Sequence, residues 1–331
     1  MTITQPPLLD QPSRTLVRFF MAVFLGLFSM AVDAAEPPPE LILKSASPLA
    51  GRIWLPKERR LTTPEALVRQ ALNVGIVALG ETHDNPDHHA LQAWMVRRLV
   101  AAGRRPVAAF EMMDADQQPV VESQGGDMAG LGQAVEWEKR GWPDWALYRP
   151  IAEAVMAGGG GLIAANLPIG MTRDISKGKE SPDIRARYGL DDAQLPAVDA
   201  AMAADIREGH CNMLPEAAVA PMVRVQRARD AALAEAVAMQ ATRPEVGPVV
   251  LVAGSGHGRL DRGAPARLHE MVPGVRILSV AFLEVGDGET DSAAASRFGN
   301  APAPFDAVWF TAKVEREDPC AQMERHMKKE K

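Results

Sequence analysis

Two apolar runs, far apart in the chain, each end in a glycine with a histidine three residues further on. Val74 to Leu79 leads into Gly80-Glu81-Thr82-His83, and Val249 to Ala253 leads into Gly254-Ser255-Gly256-His257. Carboxylates and imidazoles set just past a strand can act as general acids and bases. They can equally hold a polar substrate or a first-row metal such as Mn, Co or Zn. Both runs are continuous rather than alternating, the pattern of a strand buried on both faces of a parallel sheet. A glycine permits a tight exit from each strand, so His83 and His257 are expected beyond the carboxyl ends, the edge where open α/β sheets bind ligands. Glu111 follows a further run, Val107 to Phe110, and Asn166 follows Leu162 to Ala165. If those strands are neighbours, Glu81, His83, Glu111, Asn166 and His257 line one cleft.

Three more residues are candidates. Asp84 or Asn85 ahead of Pro86 marks the start of a helix over about 86–102. On it His88 shares a side with Leu91, Met95 and Leu99, while His89 is turned about a quarter circle away. A helix N-terminus disfavours imidazolium, so a neutral His88 is available as a ligand. Tyr148 is one of two tyrosines and sits in Trp142-Pro-Asp-Trp145-Ala-Leu-Tyr148-Arg-Pro150, ahead of a helix expected to begin at Pro150. His210 closes a helix stripe of Val198, Met202 and Ile206. Phenolate and imidazole both ligate haem iron, although a histidine at a helix C-terminus is also explained by the dipole alone. The chain contains no Gly-x-Ser-x-Gly elbow, no His-Glu-x-x-His helix and no Gly-x-x-x-x-Gly-Lys loop.

The elements that must position these residues alternate as short strands and helices, which predicts an α/β fold with a mostly parallel sheet flanked by helices. From 171 to 244 no strand is expected, and alanine, methionine and charged residues dominate. That stretch is read as a small all-helical subdomain inserted between 59–170 and 245–317, the two parts of the α/β domain. Strands resume at Val249, over Val275 to Val285 and over Phe305 to Val314; 286–304 reads as a loop and 318–331 as a charged tail. Arg14 and Arg18 ahead of the apolar run Phe19 to Val32, with Val32-Asp33-Ala34 after it, read as a cleaved leader over 1–34. An extended linker over 35–58 follows. The 331 residues carry a net charge of −6, and with no long basic run a nucleic-acid surface is not expected. In an oxidising compartment Cys211 and Cys320, the two cysteines present, can tie the tail to the body.

Several motifs occur in a fixed order. They are Val77-Ala-Leu-Gly-Glu-Thr-His-Asp-Asn-Pro-Asp-His-His89, Phe110-Glu111-Met, Trp145-x-x-Tyr148-x-Pro150, Ala164-Ala-Asn166-Leu-Pro, His210-Cys211, Gln226-x-x-Arg229-Asp230, Leu251-Val-Ala-Gly-x-Gly-His257 and Asp318-Pro-Cys320. Over about 60–317 the chain resembles the ChaN-like haem-binding uptake proteins of Gram-negative bacteria. The resemblance implies haem bound for iron acquisition, as a stacked pair between two subunits of a homodimer, with an outer-membrane haem receptor as a partner. It maps the iron ligand onto Tyr148, with His210 as the second candidate. Family members known as lipoproteins carry a lipidated cysteine that has no counterpart here, so a free periplasmic protein is expected. The haem-binding reading assigns the chain no reaction of its own, and the question of an enzyme stays open with the alternative that follows. The same superfamily includes proteins similar to erythromycin esterases and Tiki-type metal-dependent proteases. That alternative makes Glu81, His83, Glu111 and His257 metal ligands or a general base acting on metal-activated water. A structural protein with a vestigial cleft is the third reading.

Overall fold

A computed structural model describes residue 2 and residues 36–329, except 194, 244, 246 and 291–301; from 326 onward it describes the backbone alone. The expected leader, residue 2 aside, and most of the expected loop lie outside the described residues. The strands are β1 (Ile53–Leu55), β2 (Arg60–Thr62), β3 (Ile76–Glu81), β4 (Val107–Asp114), β5 (Gly161–Asn166), β6 (Val249–Gly254), β7 (Ile277–Val285) and β8 (Ala307–Ala312). They form one sheet in the order β2-β1-β8-β7-β3-β6-β4-β5. The six from β8 to β5 are parallel, and β1 and β2 add an antiparallel hairpin beside β8. That hairpin falls at the junction of the expected linker and the α/β domain; its three-residue strands are too short to show a period.

Around the sheet lie α1 (Pro64–Ala71), α2 (Pro86–Ala101), α3 (Gln118–Ser123), α4 (Met128–Ala134), α5 (Trp145–Ala157) and α10 (Ala264–Met271). Between β5 and β6 the chain is helical: α6 (Ile169–Ser176), α7 (Pro182–Arg187), α8 (Pro196–Gly209) and α9 (Glu216–Ala241). One sheet face packs Val77, Leu79, Phe110, Val250 and Val280 against Leu91, Met95, Ile151 and Val155 of α2 and α5. The other packs Ile76, Ala78, Val249 and Leu251 against Leu233 and Val237 of α9 and Leu268 of α10. Burial on both faces is why these strands read as unbroken apolar runs, and each large side chain so buried contributes roughly 1.5–3 kcal/mol. The first half of α9 instead packs Val219 and Val223 against Met202, Val198 and Ile206 of α8. One 26-residue helix thus joins the helical lobe to the sheet.

Two local differences from the sequence reading decide where site residues point. Pro150 does not start α5 but lies inside it; the Asp144 carboxylate accepts from Ala146 N–H and caps the helix one turn earlier. The stripe Trp145, Tyr148, Ile151, Ala152 and Val155 is buried as a result, and Tyr148 faces the core. Likewise β4 does not stop at Phe110. It runs buried to Asp114, with an irregular register between Phe110 and Asp114, so Glu111 lies within the strand.

A disulfide joins Cys211, in the turn after α8, to Cys320 in the C-terminal helix α11 (Pro319–Lys329), where a charged tail was expected. It closes a loop of 109 residues. Reducing it should lower the unfolding free energy by about 2–4 kcal/mol, measured by denaturant unfolding with and without reductant; unchanged curves would contradict this.

Candidate functional site: two buried carboxylate–imidazole clusters

β3 and β6 are adjacent and in register, Gly80 opposite Ala253 and Glu81 opposite Gly254. Both Gly-x-x-His turns therefore leave the sheet side by side. A Cβ on Gly80 would come within 2.9 Å of Ser255 Cα, so the close approach of the two turns depends on that glycine. Because β4 is the next strand after β6, Glu111 joins the same edge.

Glu81 is buried and sits at the centre of the first cluster. Tyr148 Oη donates to its Oε1 at 2.7 Å, and His83 Nδ1 lies 2.9 Å from the same oxygen. Its Oε2 faces His89 Nδ1 at 3.2 Å. The protonation of His89 follows from its neighbours. Its Nε2 lies 2.8 Å from the His83 carbonyl and its Nδ1 3.1 Å from Gln92 Oε1. Gln92 is held in that orientation because its Nε2 donates to Leu79 O. Every atom facing the ring is an acceptor, so both nitrogens carry protons. Burial by itself lowers the pKa of His89, but the Glu81 carboxylate outweighs it and the net direction is upward. Glu81 in turn is held far below the usual carboxylate range: burial works against this, and His89 and His83 overcome it.

The second cluster is a carboxylate–imidazolium–carboxylate row. His257 Nδ1 lies 2.6 Å from Asp230 Oδ1, and its Nε2 lies 3.3 Å from Glu111 Oε1. Glu111 Oε2 accepts from Gly254 N–H at 2.7 Å. α9 supplies Asp230 and, one turn before it, Gln226, whose Nε2 is 3.2 Å from His257 Nδ1. Burial disfavours the charge on His257, but Glu111 and Asp230 raise its pKa to about 10. Glu111 is depressed although burial opposes it, with His257 the main cause. Asp230 moves upward, because burial there exceeds the pull of His257.

These shifts give stability a pH dependence of definite sign. The His257 contribution is whole below its ordinary value of 6.5 and is lost as pH rises through about 10. The contributions of Glu81 and Glu111 are whole above 4.5 and are lost as pH falls through their depressed values. His88, buried neutral with its pKa lowered to about 3, adds a contribution that is whole above 6.5 and is lost as pH falls towards 3. Thermal unfolding should therefore show its highest midpoint near pH 6.5, falling steadily towards pH 10. A midpoint that stayed level from pH 6.5 to 10 would contradict the buried imidazolium.

Other expected site residues are placed elsewhere. His88, expected to line the cleft, spends both nitrogens on the scaffold. Thr82 N–H donates to its Nδ1 at 2.9 Å, and its Nε2–H donates to Thr311 Oγ1 at 2.7 Å. Burial lowers its pKa to about 3, so it is neutral and has no lone pair free for a ligand. His89, read as turned away, takes the place expected for its neighbour, because α2 is buried on several sides. Asn166 is buried but folds back, its Oδ1 accepting from Leu167 N–H; it is not drawn into either cluster. Tyr148 is wholly buried. Burial, reinforced by the Glu81 carboxylate, drives its pKa far above that of an ordinary phenol. Its oxygen is out of solvent and donates to Glu81, so in this arrangement it presents no open position to iron. Nor do the clusters present a donor set for the alternative Mn, Co or Zn ion. Among the described residues no group of three or more His, Cys, Asp and Glu is arranged to hold a metal ion; these side chains pair with one another instead.

Among the described residues three imidazoles keep an open nitrogen: His83, His210 and the exposed His269, whose Nδ1–H donates to Pro265 O at 2.8 Å. His83 is the partly exposed member of the first cluster, 34% of its side chain reaching solvent, with its ring 5.0 Å from Trp142. Its Nε2 makes no hydrogen bond to a described residue and would stand 3.1 Å from a Cβ on Gly254. Burial pulls its pKa down, but Glu81 and Glu111 prevail and the ring tends to be protonated. His210 is half-buried at the end of α8, where its Nδ1–H donates to Ile206 O at 2.7 Å. That bond fixes the tautomer and leaves the lone pair on Nε2. Among the described residues no hydrogen bond or ring contact joins Tyr148 to His210; the first belongs to the sheet core, the second to the helical lobe.

The fold agrees with a known protein this chain resembles. The model of a family described as haem-binding uptake, Tiki superfamily, ChaN, matches residues 67–268. The chain belongs to that haem-binding uptake family. Among solved structures, cofacial haem-binding ChaN of Campylobacter jejuni superposes with a TM-score of 0.62 at 19% identity, covering 80% of this chain and 98% of that one. The type III effector HopBA1 matches at 15% identity with a TM-score of 0.42, covering 75% and 92%. A mutant of the erythromycin esterase EreC matches at 16% with 0.41, covering 82% and 85%. The comparison with curated proteins finds no match.

Proposed function

We propose that this protein is an exported, periplasmic haem-binding protein of haem and iron uptake, and that the helical lobe offers His210 Nε2 to the iron. One observation carries the choice of ligand: the Nδ1–H of His210, a half-buried side chain, is committed to Ile206 O, whereas His269, with the same tie to Pro265 O, is exposed and offers no shelter from water. Metal-binding histidines are oriented in this way, with the other ring nitrogen donating to a carbonyl or carboxylate. His83 has a comparable tie to Glu81, but charged partners favour its proton over its lone pair. When bound, haem supplies the iron centre; the chain's part is to orient the imidazole and exclude water. Family membership and the fold shared with Campylobacter jejuni ChaN support the reading.

Titrating the purified protein with haemin should give a saturable Soret band, and Tyr148→Phe should leave its position unchanged. Loss of the band in that variant, with the fold intact, would return the ligand to Tyr148. We further propose that two copies stack their haems face to face, an outer-membrane haem receptor being the delivering partner. Sedimentation should then shift from monomer to dimer on adding haemin, and no shift would remove the stacked pair.

A further inference from the structure

The helical lobe carries a second feature, open to solvent and separate from His210. A cavity of about 820 Å³ lies between α6, α7, α8 and the first half of α9, and His210 is not among the residues lining it. Buried polar side-chain atoms are nearly always hydrogen-bonded in folded proteins. Among the described residues eight such atoms lack a hydrogen-bond partner, and five belong to this lining: Glu180 Oε2, Asp199 Oδ1, and the Nε of Arg185, Arg224 and Arg227. Glu180 is only 7% exposed. Its other oxygen accepts from Arg224 and forms an ion pair, without hydrogen-bond geometry, with Arg185 Nε at 3.5 Å, which leaves Oε2 to the cavity. Arg227 is fixed by donating to the carbonyls of Gly189 and Asp192, so its Nε–H is held in place without a partner.

We propose that this cavity binds a small amino acid with an acidic side chain. Guanidinium N–H groups recognise carboxylates, and carboxylate oxygens buried beside them call for a charged donor such as an ammonium. Five cationic side chains against three carboxylates leave the lining positive, which favours a ligand of net negative charge. An amino-dicarboxylate supplies both carboxylates and the ammonium, and the cavity lies in the usual range for small-molecule sites, about 300–1,000 Å³. A haem propionate shares the carboxylate chemistry but brings no donor for Glu180 and Asp199.

The test is calorimetric titration of the haem-free protein with L-glutamate. One saturable site is expected, with glutarate, which lacks the ammonium, at least about tenfold weaker. Asp199→Asn, which leaves an amide of the same shape, should weaken L-glutamate by a similar factor while keeping the wild-type unfolding midpoint and haemin titration. Glutarate binding as tightly as glutamate, an unaltered affinity in Asp199→Asn, or no saturable heat would overturn the proposal. So would displacement of L-glutamate by stoichiometric haemin, which would assign the cavity to the propionates. Failure of haemin binding with L-glutamate binding intact would instead count against the proposed haem site alone.

Discussion

Replacing His257 by alanine should cost about 3–5 kcal/mol of folding stability, the range for removing one partner of a buried charge pair. The ring stands between Glu111 and Asp230, with both carboxylates nearly or wholly out of solvent. Without it two buried carboxylates face each other with no cation between them, and one must take up a proton or draw in water. Removing an exposed cation such as Lys44, whose partner Glu40 is also on the surface, should cost well under about 1 kcal/mol. Urea unfolding of the two variants separates the cases. A His257→Ala loss no larger than that of Lys44→Ala would mean that the row is solvated and that its imidazolium has no structural weight.

The second large effect concerns haem. His210→Ala should weaken haemin by about 100-fold or more, since even disturbing a residue behind a metal ligand commonly costs 10–100-fold. The variant should fold normally, because His210 is half-buried and its side chain bonds only the carbonyl of its own helix. Equilibrium haemin titration of wild type and variant reads the ratio directly. An affinity within about twofold of wild type would remove His210 as the ligand.

The edge of the sheet was legible in the sequence because unbroken apolar runs and terminal glycines record burial on two faces and a tight exit. Glu81, His83, Glu111 and His257 accordingly gather where β3, β6 and β4 end or kink. What the pattern could not show was which side of a wholly buried element a residue takes. α2 buries His88 and His89 alike, so helical spacing gave no basis for choosing between them. Tyr148 was displaced by a capping effect: Asp144 starts α5 before Pro150, turning a residue expected ahead of the helix into a core residue. Asp230 was visible in Gln226-x-x-Arg229-Asp230 but carried no assigned role. Its contact with His257 depends on α9 reaching the sheet edge, a long-range docking that local spacing does not encode. The hairpin of β1 and β2 was missed for the same reason, being held by β8 from the far end of the chain.

The most direct test of the account is electron paramagnetic resonance of the haemin-loaded protein beside His210→Ala, His83→Ala and Tyr148→Phe. The account predicts an imidazole-ligated ferric signal in the wild type that persists in His83→Ala and Tyr148→Phe and disappears in His210→Ala. A tyrosinate-type signal lost in Tyr148→Phe, or an imidazole signal lost in His83→Ala but kept in His210→Ala, would contradict it.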